Sequence, residues 1–351
     1  MIHPWLAESW RRLTALGERL PHALLLVGPA GLGKRELADA FAARLLCAAP
    51  QADGHACGQC PACRLRLSGN HPDLLAIVPA ADAAGGEDDD SGTEAAADGG
   101  KKKSSQIVIE QIRDLQQALA VTGHQSARRV VVVDPADAMN VFTANALLKL
   151  LEEPPEGCVF VLVSSAPRRL LPTIRSRCQQ WSFARPSPAA VEEWLATQDA
   201  SAQALLAVNG GMPLAAERMA AQGAGAFLAR FVTDVSRMPE VDALVLAGQW
   251  EAWLKSKDAG ACGFELVQLV DWMQRWVTDL AALRLGGRVR YFPAQEALLS
   301  ALALRTSVAA ALNCYNEFAR IRRVAQHPLN LRLMLEDMLS RYMRVVTRPR
   351  P

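Results

Sequence analysis

Between residues 28 and 35 the chain reads Gly28-Pro29-Ala30-Gly31-Leu32-Gly33-Lys34-Arg35. Glycines at this spacing followed by lysine make a phosphate-binding loop, in which backbone N-H groups cradle the phosphates and the lysine reaches the outer ones. A working loop ends in Ser or Thr, whose hydroxyl ligates the Mg²⁺ that bridges the phosphates. Arg35 stands in that place. A guanidinium has only donors and a fixed positive charge, so it cannot ligate a cation and repels one. Gly28, Gly31, Gly33 and Lys34 therefore keep the parts that hold phosphate, while the part that holds the metal is gone.

A second loss lies at the end of the run Arg129-Val130-Val131-Val132-Val133-Asp134-Pro135. A continuous β-branched run is the pattern of a buried central parallel strand, which puts Asp134 at its carboxyl edge, where a nucleotide would sit. In an ATPase of this type the acid supports Mg²⁺ and the following glutamate polarises the attacking water. Here Pro135 follows, with neither a carboxylate nor an N-H.

The third chemical set is a cysteine cluster. Four of the eight cysteines, Cys47, Cys57, Cys60 and Cys63, are spaced C-x9-C-x2-C-x2-C. Four thiolates make a closed tetrahedral zinc site with no position for water, so this set staples a loop and does not catalyse. The rival is an iron-sulfur cluster, but the C-x3-C-P element of the ferredoxin run is missing. His55 and His71 are spare ligands, each otherwise an exposed loop histidine. Cys158, Cys178, Cys262 and Cys314 are scattered and read as small core residues.

These groups need elements to position them. Ala23 to Val27 is a short apolar strand, and Arg35 to Cys47 carries Leu37, Ala38, Phe41, Ala42, Leu45 and Leu46 at helical spacing. Asp73 to Val78 reads as a further strand, a helix resumes from Ile107 with Ile109, Ile112, Leu115 and Leu119 on one face, and Val159 to Val163 is another strand. From Pro79 to about Ser105 the composition breaks. Glu87-Asp88-Asp89-Asp90 and Lys101-Lys102-Lys103 among Gly, Ala and Ser cannot bury enough apolar area to order themselves, so a mobile loop is expected. Pro186 and Pro188 mark a linker into an alanine-rich helical half. There Leu266, Leu269, Val270, Met273, Trp276, Val277 and Leu280 repeat at helical spacing, as a bundle core does.

With 351 residues, half of them hydrophobic types (50%) and 21% charged, the chain can build two or three domains. A formal net charge of +2 gives no strong attraction of the whole chain to nucleic acid or membrane. The first residues lack a basic segment followed by an apolar one, and no apolar run reaches spanning length, so a cytoplasmic protein without disulfides is expected.

Two further blocks, Ala144-Asn145-Ala146-Leu147-Leu148-Lys149-Leu150-Leu151-Glu152-Glu153-Pro154-Pro155 and Leu171-Pro172-Thr173-Ile174-Arg175-Ser176-Arg177-Cys178, complete a pattern. Together with the altered phosphate loop and the cysteine insertion, they resemble the delta-prime family of bacterial DNA polymerase III clamp-loader subunits, which are AAA+ proteins. The resemblance runs over nearly the whole chain. It implies an α/β plus all-α fold: an AAA+ (RecA-like) parallel-sheet domain over 1-185, with a zinc module at 47-63 and a disordered insertion at 79-105, a small helical lid over 186-225, and a helical collar domain over 226-351 that includes a helix from Asn330 to Leu339.

The resemblance also implies roles. In the family's motors a lid arginine in a Gly-x-x-Arg-x-Ala segment reaches the phosphates; the matching Gly211-Met212-Pro213-Leu214-Ala215-Ala216 carries Leu214 there. ATP hydrolysis is therefore not expected, although Lys34 and Asp134 leave nucleotide binding open. Arg177, within Ser176-Arg177-Cys178, corresponds to an arginine that crosses the subunit boundary to the neighbour's phosphates, while Arg168, Arg169 and Arg175 read as surface arginines. The implied partners are gamma/tau and delta subunits in a hetero-pentamer, with the sliding clamp and primer-template DNA reached through the complex. An active ATPase motor of the same assembly would carry Ser or Thr at 35 and Glu at 135. A free zinc-dependent nucleic-acid binder would call for a more basic chain.

Because the composition of residues 85-100 cannot contribute a core, deleting that stretch should leave folding and complex formation intact. Circular dichroism and copurification with partner subunits are the checks, and loss of assembly would make the insertion an interaction element.

Overall fold

The computed structural model describes residues 2-81, 104-120, 128-325, 327 and 329-347. Most of the expected mobile stretch 79-105 lies outside the described residues, from 82 to 103. The chain divides into two compact units, 1-187 and 188-351.

The first unit is built on five parallel strands, β1 (Ala23–Val27), β2 (Leu74–Ile77), β3 (Arg129–Val133), β4 (Cys158–Ser164) and β5 (Gln179–Ser182), ordered β2-β3-β4-β1-β5. This is the AAA+-like parallel sheet that the resemblance implied. Parallel strands need crossover connections, and helices supply most of them. These are α2 (Lys34–Leu46) and α3 (Pro61–Leu67) between β1 and β2, α4 (Ile109–Ala120) between β2 and β3, α5 (Val141–Glu152) between β3 and β4, and α6 (Pro172–Arg177) between β4 and β5, while α1 (Ala7–Thr14) precedes the sheet.

The valine run of β3 is buried on both faces, as its lack of alternation required. On one face Leu25, Val131, Val133, Phe160 and Leu162 pack with Ile112, Leu115, Leu147 and Ile174 from α4, α5 and α6. The alternate residues Leu24, Leu26, Val130 and Val132 are equally buried, and α2 lies against β3 and β4. The helix foreseen from Ile107 begins two residues later. Ile107 is instead a fully buried bridge residue beside Met139, and its carbonyl accepts a hydrogen bond from Thr143 Oγ1 at 3.1 Å.

In the second unit the described residues form helices only: α7 (Pro188–Leu195), α8 (Ala200–Val208), α9 (Pro213–Ala221), α10 (Ala224–Ser236), α11 (Ala243–Leu254), α12 (Lys257–Ala261), α13 (Leu266–Arg284), α14 (Glu296–Arg305), α15 (Val308–Val324) and α16 (Leu331–Thr347), with one short 3-10 turn at Pro293–Gln295. Their starts are coded locally: Asp199, Ser256 and Ser307 each accept the N-H three residues on. Every apolar position picked out on α13 is buried. Around it Phe231 meets Trp250, Trp272, Trp276 and Phe292, and the buried Trp276 indole donates to Tyr342 Oη at 2.8 Å. Asp279, fully buried on the same helix, accepts the N-H groups of Arg290, Tyr291 and Phe292 at 2.9 Å each, which fixes the approach to α14. Among the described residues no single helix is long and apolar enough to cross a membrane.

Phe160 is fully buried at the centre of the first unit's core. Phe160→Ala should cost that unit about 3–5 kcal/mol, read as an earlier denaturation midpoint with the slope unchanged.

Candidate functional site

The loops that leave the carboxyl ends of β1, β3 and β4 share one edge of the sheet. Gly31 (φ 77°) and Gly33 (φ 95°) take the left-handed turns that let the loop wrap the start of α2. A Cβ on Gly28 would stand 3.0 Å from Phe183 Cβ and its carbonyl oxygen, so a larger residue there would have to push the chain after β5 aside by a few tenths of an ångström. Lys34, 5% exposed, turns its ammonium back onto the loop: Nζ donates to the carbonyls of Gly28 (2.8 Å) and Pro29 (2.7 Å) and to Ser165 Oγ (3.0 Å). Trp5 closes the other side, with its indole N-H on Leu32 O at 2.8 Å.

Arg35 contacts the strand-end acid. Its NH1 donates to Asp134 Oδ2 at 3.2 Å, while Nε donates to both carboxylate oxygens of Asp39, one turn along α2, at 3.1 and 3.0 Å. Burial alone would lower the arginine's pKa, but Asp39 and Asp134 together raise it. Burial pushes the Asp134 carboxyl up from its ordinary range, and Arg35 and Lys34 pull it back. The side chain in the hydroxyl's place thus rests on the acid that would support a metal ion. Pro135 follows Asp134 as expected. Leu214 is a buried apolar residue near the start of α9.

Arg177 ends α6, next to the start of β5. Its NH2 lies 2.6 Å from Glu152 Oε1, at the end of α5, and its NH1 donates to Thr173 O at 3.1 Å. Ser176 Oγ donates to Thr173 O at 3.0 Å, and burial pushes the Cys178 thiol up to about 12. Leu24 pairs with Gln179, so Cys178 is level with Ala23, five residues short of Gly28. At about 3.3 Å per residue that is roughly 16 Å along the strand direction. Arg177 therefore sits at the amino edge of the sheet, and the glycine loop from Gly28 to Lys34 at the carboxyl edge.

The four clustered cysteines converge. Their sulfurs all lie within 4.8 Å of one another, with Cys47 to Cys60 at 3.9 Å and Cys57 to Cys63 at 4.0 Å. A tetrahedral ion with metal-sulfur bonds of about 2.3 Å needs sulfurs about 3.8 Å apart, so two of the pairs already have the right spacing and shifts of about 1 Å or less bring the set around a metal. Backbone N-H groups point at three of the sulfurs: Cys57 N at Cys47 Sγ (3.2 Å), Cys60 N at Cys57 Sγ (3.4 Å) and Cys63 N at Cys60 Sγ (3.5 Å). Such donors hold the Cys60 thiol down to about 6.

The spare histidines are elsewhere. His55 stacks on Trp10 at 5.0 Å. His71, expected as an exposed loop residue, is 5% exposed, and its Nδ1 accepts the N-H of Asp73 at 3.1 Å, because the chain entering β2 turns inward there. Arg175, read as a surface side chain, is half-buried. Sequence reasoning missed Asp39 and Glu152, which orient the two arginines, and Asp137, whose Oδ1 accepts Ser164 Oγ (2.6 Å) and the N-H of Ser165 (3.0 Å). The signal for Asp39 was its i+4 spacing from Arg35. Glu152 lay within the block from Ala144 to Pro155 singled out above, but nothing in the sequence paired it with Arg177, since that contact crosses between elements.

Residues 6-187 match the family model described as DNA polymerase III, delta subunit. The chain is 38% identical over 291 residues to the DNA polymerase III subunit delta' of Pseudomonas aeruginosa, which covers 81% of this chain and 78% of that protein. To the subunit of the same name from Escherichia coli it is 32% identical over 235 residues, 66% of this chain and 61% of that one. Among solved structures, a DNA polymerase III gamma subunit-related protein of Thermotoga maritima matches with a TM-score of 0.48 at 18% identity, over 96% of this chain and 99% of that one.

Serine at Cys60 removes one sulfur from the tetrahedron. Cys60→Ser should lower the metal bound per chain, measured by elemental analysis, and lower the melting temperature by several degrees. Metal-free wild-type protein, prepared without chelators, would refute the site.

Proposed function

Because this chain belongs to the delta-prime family of bacterial DNA polymerase III clamp-loader subunits, we propose that it is the noncatalytic member of a hetero-pentameric clamp loader and completes the ATPase site of a neighbouring motor subunit. Its partners in this reading are gamma/tau and delta subunits, and through them the sliding clamp and primer-template DNA. Residues 186-225 serve as a lid and 226-351 as a collar, and the four cysteines hold one structural zinc.

The observation that carries the proposal is the placement of Arg177. Its mount is at the opposite sheet edge from its own phosphate loop, so it cannot serve that loop and is available to another. Phosphoryl transfer spreads negative charge over the equatorial oxygens of the transferred group, and a guanidinium on a rigid mount stabilises that charge at no reorganisation cost. The contacts to Glu152 and Thr173 keep the fork ordered before assembly. The chain's own site supports the noncatalytic half of the reading: Arg35 lies on Asp134, Pro135 offers no base, and Leu214 offers no charge to phosphate. A motor reading has no such support.

Arg177→Ala should assemble normally yet lower the DNA- and clamp-stimulated ATPase and the clamp loading of the reconstituted complex. Trans arginines elsewhere supply on the order of 10³ to 10⁵ in rate; the loss here should be smaller, because the other motor sites keep their own. Arg177→Lys should rescue poorly, since an ammonium lacks the planar fork. Wild-type loading by an intact alanine complex would make Arg177 a bystander.

A further inference from the structure

The fold family implies a nucleotide with Mg²⁺ at the β1 loop, and the residues present do not fit the metal. We infer that Arg35 is a built-in replacement for that cation, so that the site selects against metal-bound nucleotide and not merely against turnover. This deepens the noncatalytic reading and rests on it.

Three observations lead here. The residue in the metal-ligating position reaches the metal-supporting acid directly, with Arg35 NH1 3.2 Å from Asp134 Oδ2. Asp39, one turn along the same helix, takes Nε on both carboxylate oxygens and so aims the head group at Asp134. Asp39 is thus a positioning residue for Arg35. The remaining cation, Lys34, is gathered onto Gly28 O, Pro29 O and Ser165 Oγ.

A divalent ion entering this site would have to take Asp134 from a guanidinium that is already a satisfied counter-ion. It would gain no hydroxyl ligand in return and would sit beside two fixed positive charges. Bare phosphate does not meet that conflict, since both cations favour it. Metal therefore contributes nothing to nucleotide affinity here, the reverse of an intact phosphate loop. Threonine at position 35 reverses the sign: it removes the guanidinium, restores an oxygen ligand and frees Asp134.

The test is calorimetric titration of the full-length chain with ADP, in Mg²⁺ or in EDTA, for wild type and Arg35→Thr. Wild type should show no tightening by Mg²⁺, whether or not it binds ADP in EDTA. Arg35→Thr should bind ADP at least about tenfold tighter with Mg²⁺ than without, about 1.4 kcal/mol. Mg²⁺-dependent tightening in wild type overturns the inference, as does a natively melting threonine variant that gains nothing from Mg²⁺. If Arg35→Thr does not fold, Arg35→Ser carries the same ligand, and the wild-type arm stands by itself. ATP turnover separates the two proposals. Wild-type turnover defeats the noncatalytic reading, whereas a turnover-free wild type that binds Mg²⁺-ADP tightly spares that reading and defeats this one.

Discussion

Parallel pairing is the constraint from which the first unit follows. Strands that all run the same way must return by crossovers, so every strand opens at one edge and closes at the other. Chemistry that needs several loops to converge collects at the closing edge, where Gly28, Asp134 and Ser165 meet within reach of Lys34 and Arg35. What precedes the strands collects at the opening edge, and Arg177 is there. The sheet keeps the two sets apart without any contact dedicated to doing so.

That separation accounts for the mixed state of the chain's motifs. Substitutions at the closing edge change only what the chain does with its own loop. Arg35 and Pro135 stand at the closing edge, and the mount of Arg177, built from α5 and α6, does not depend on them. The ion pair between Arg35 and Asp134 also settles the charge of the strand-end acid. A strand-end carboxylate left half-buried with no cation would be costly, and the guanidinium settles that charge internally.

Much of this was legible in the residue order. The valine run announced a doubly buried strand, the C-x2-C spacing announced convergent sulfurs, and the helical repeat of α13 announced a core, because each signal is local and periodic. What stayed hidden depends on elements far apart in sequence. Arg35 was legible as the absence of a hydroxyl, but not as a partner of Asp134, ninety-nine residues on. Glu152 and Arg177 meet only because α5 and α6 pack together. His71 looked like a loop residue because its neighbours are polar, and only the turn into β2 buries it.

Helix α2 is held at both ends. At its start Arg35 ties it to β3 through Asp134, and at its finish Cys47 enters the sulfur cluster while Arg44 donates to Gly54 O at 3.2 Å and Thr14 O at 3.3 Å. A rod fastened at one end can pivot or slide, and so carry a displacement from a loop to whatever lies beyond. Fastened at both, it is a beam and not a lever, and the glycine turns and the sulfur cluster are the two supports of one element.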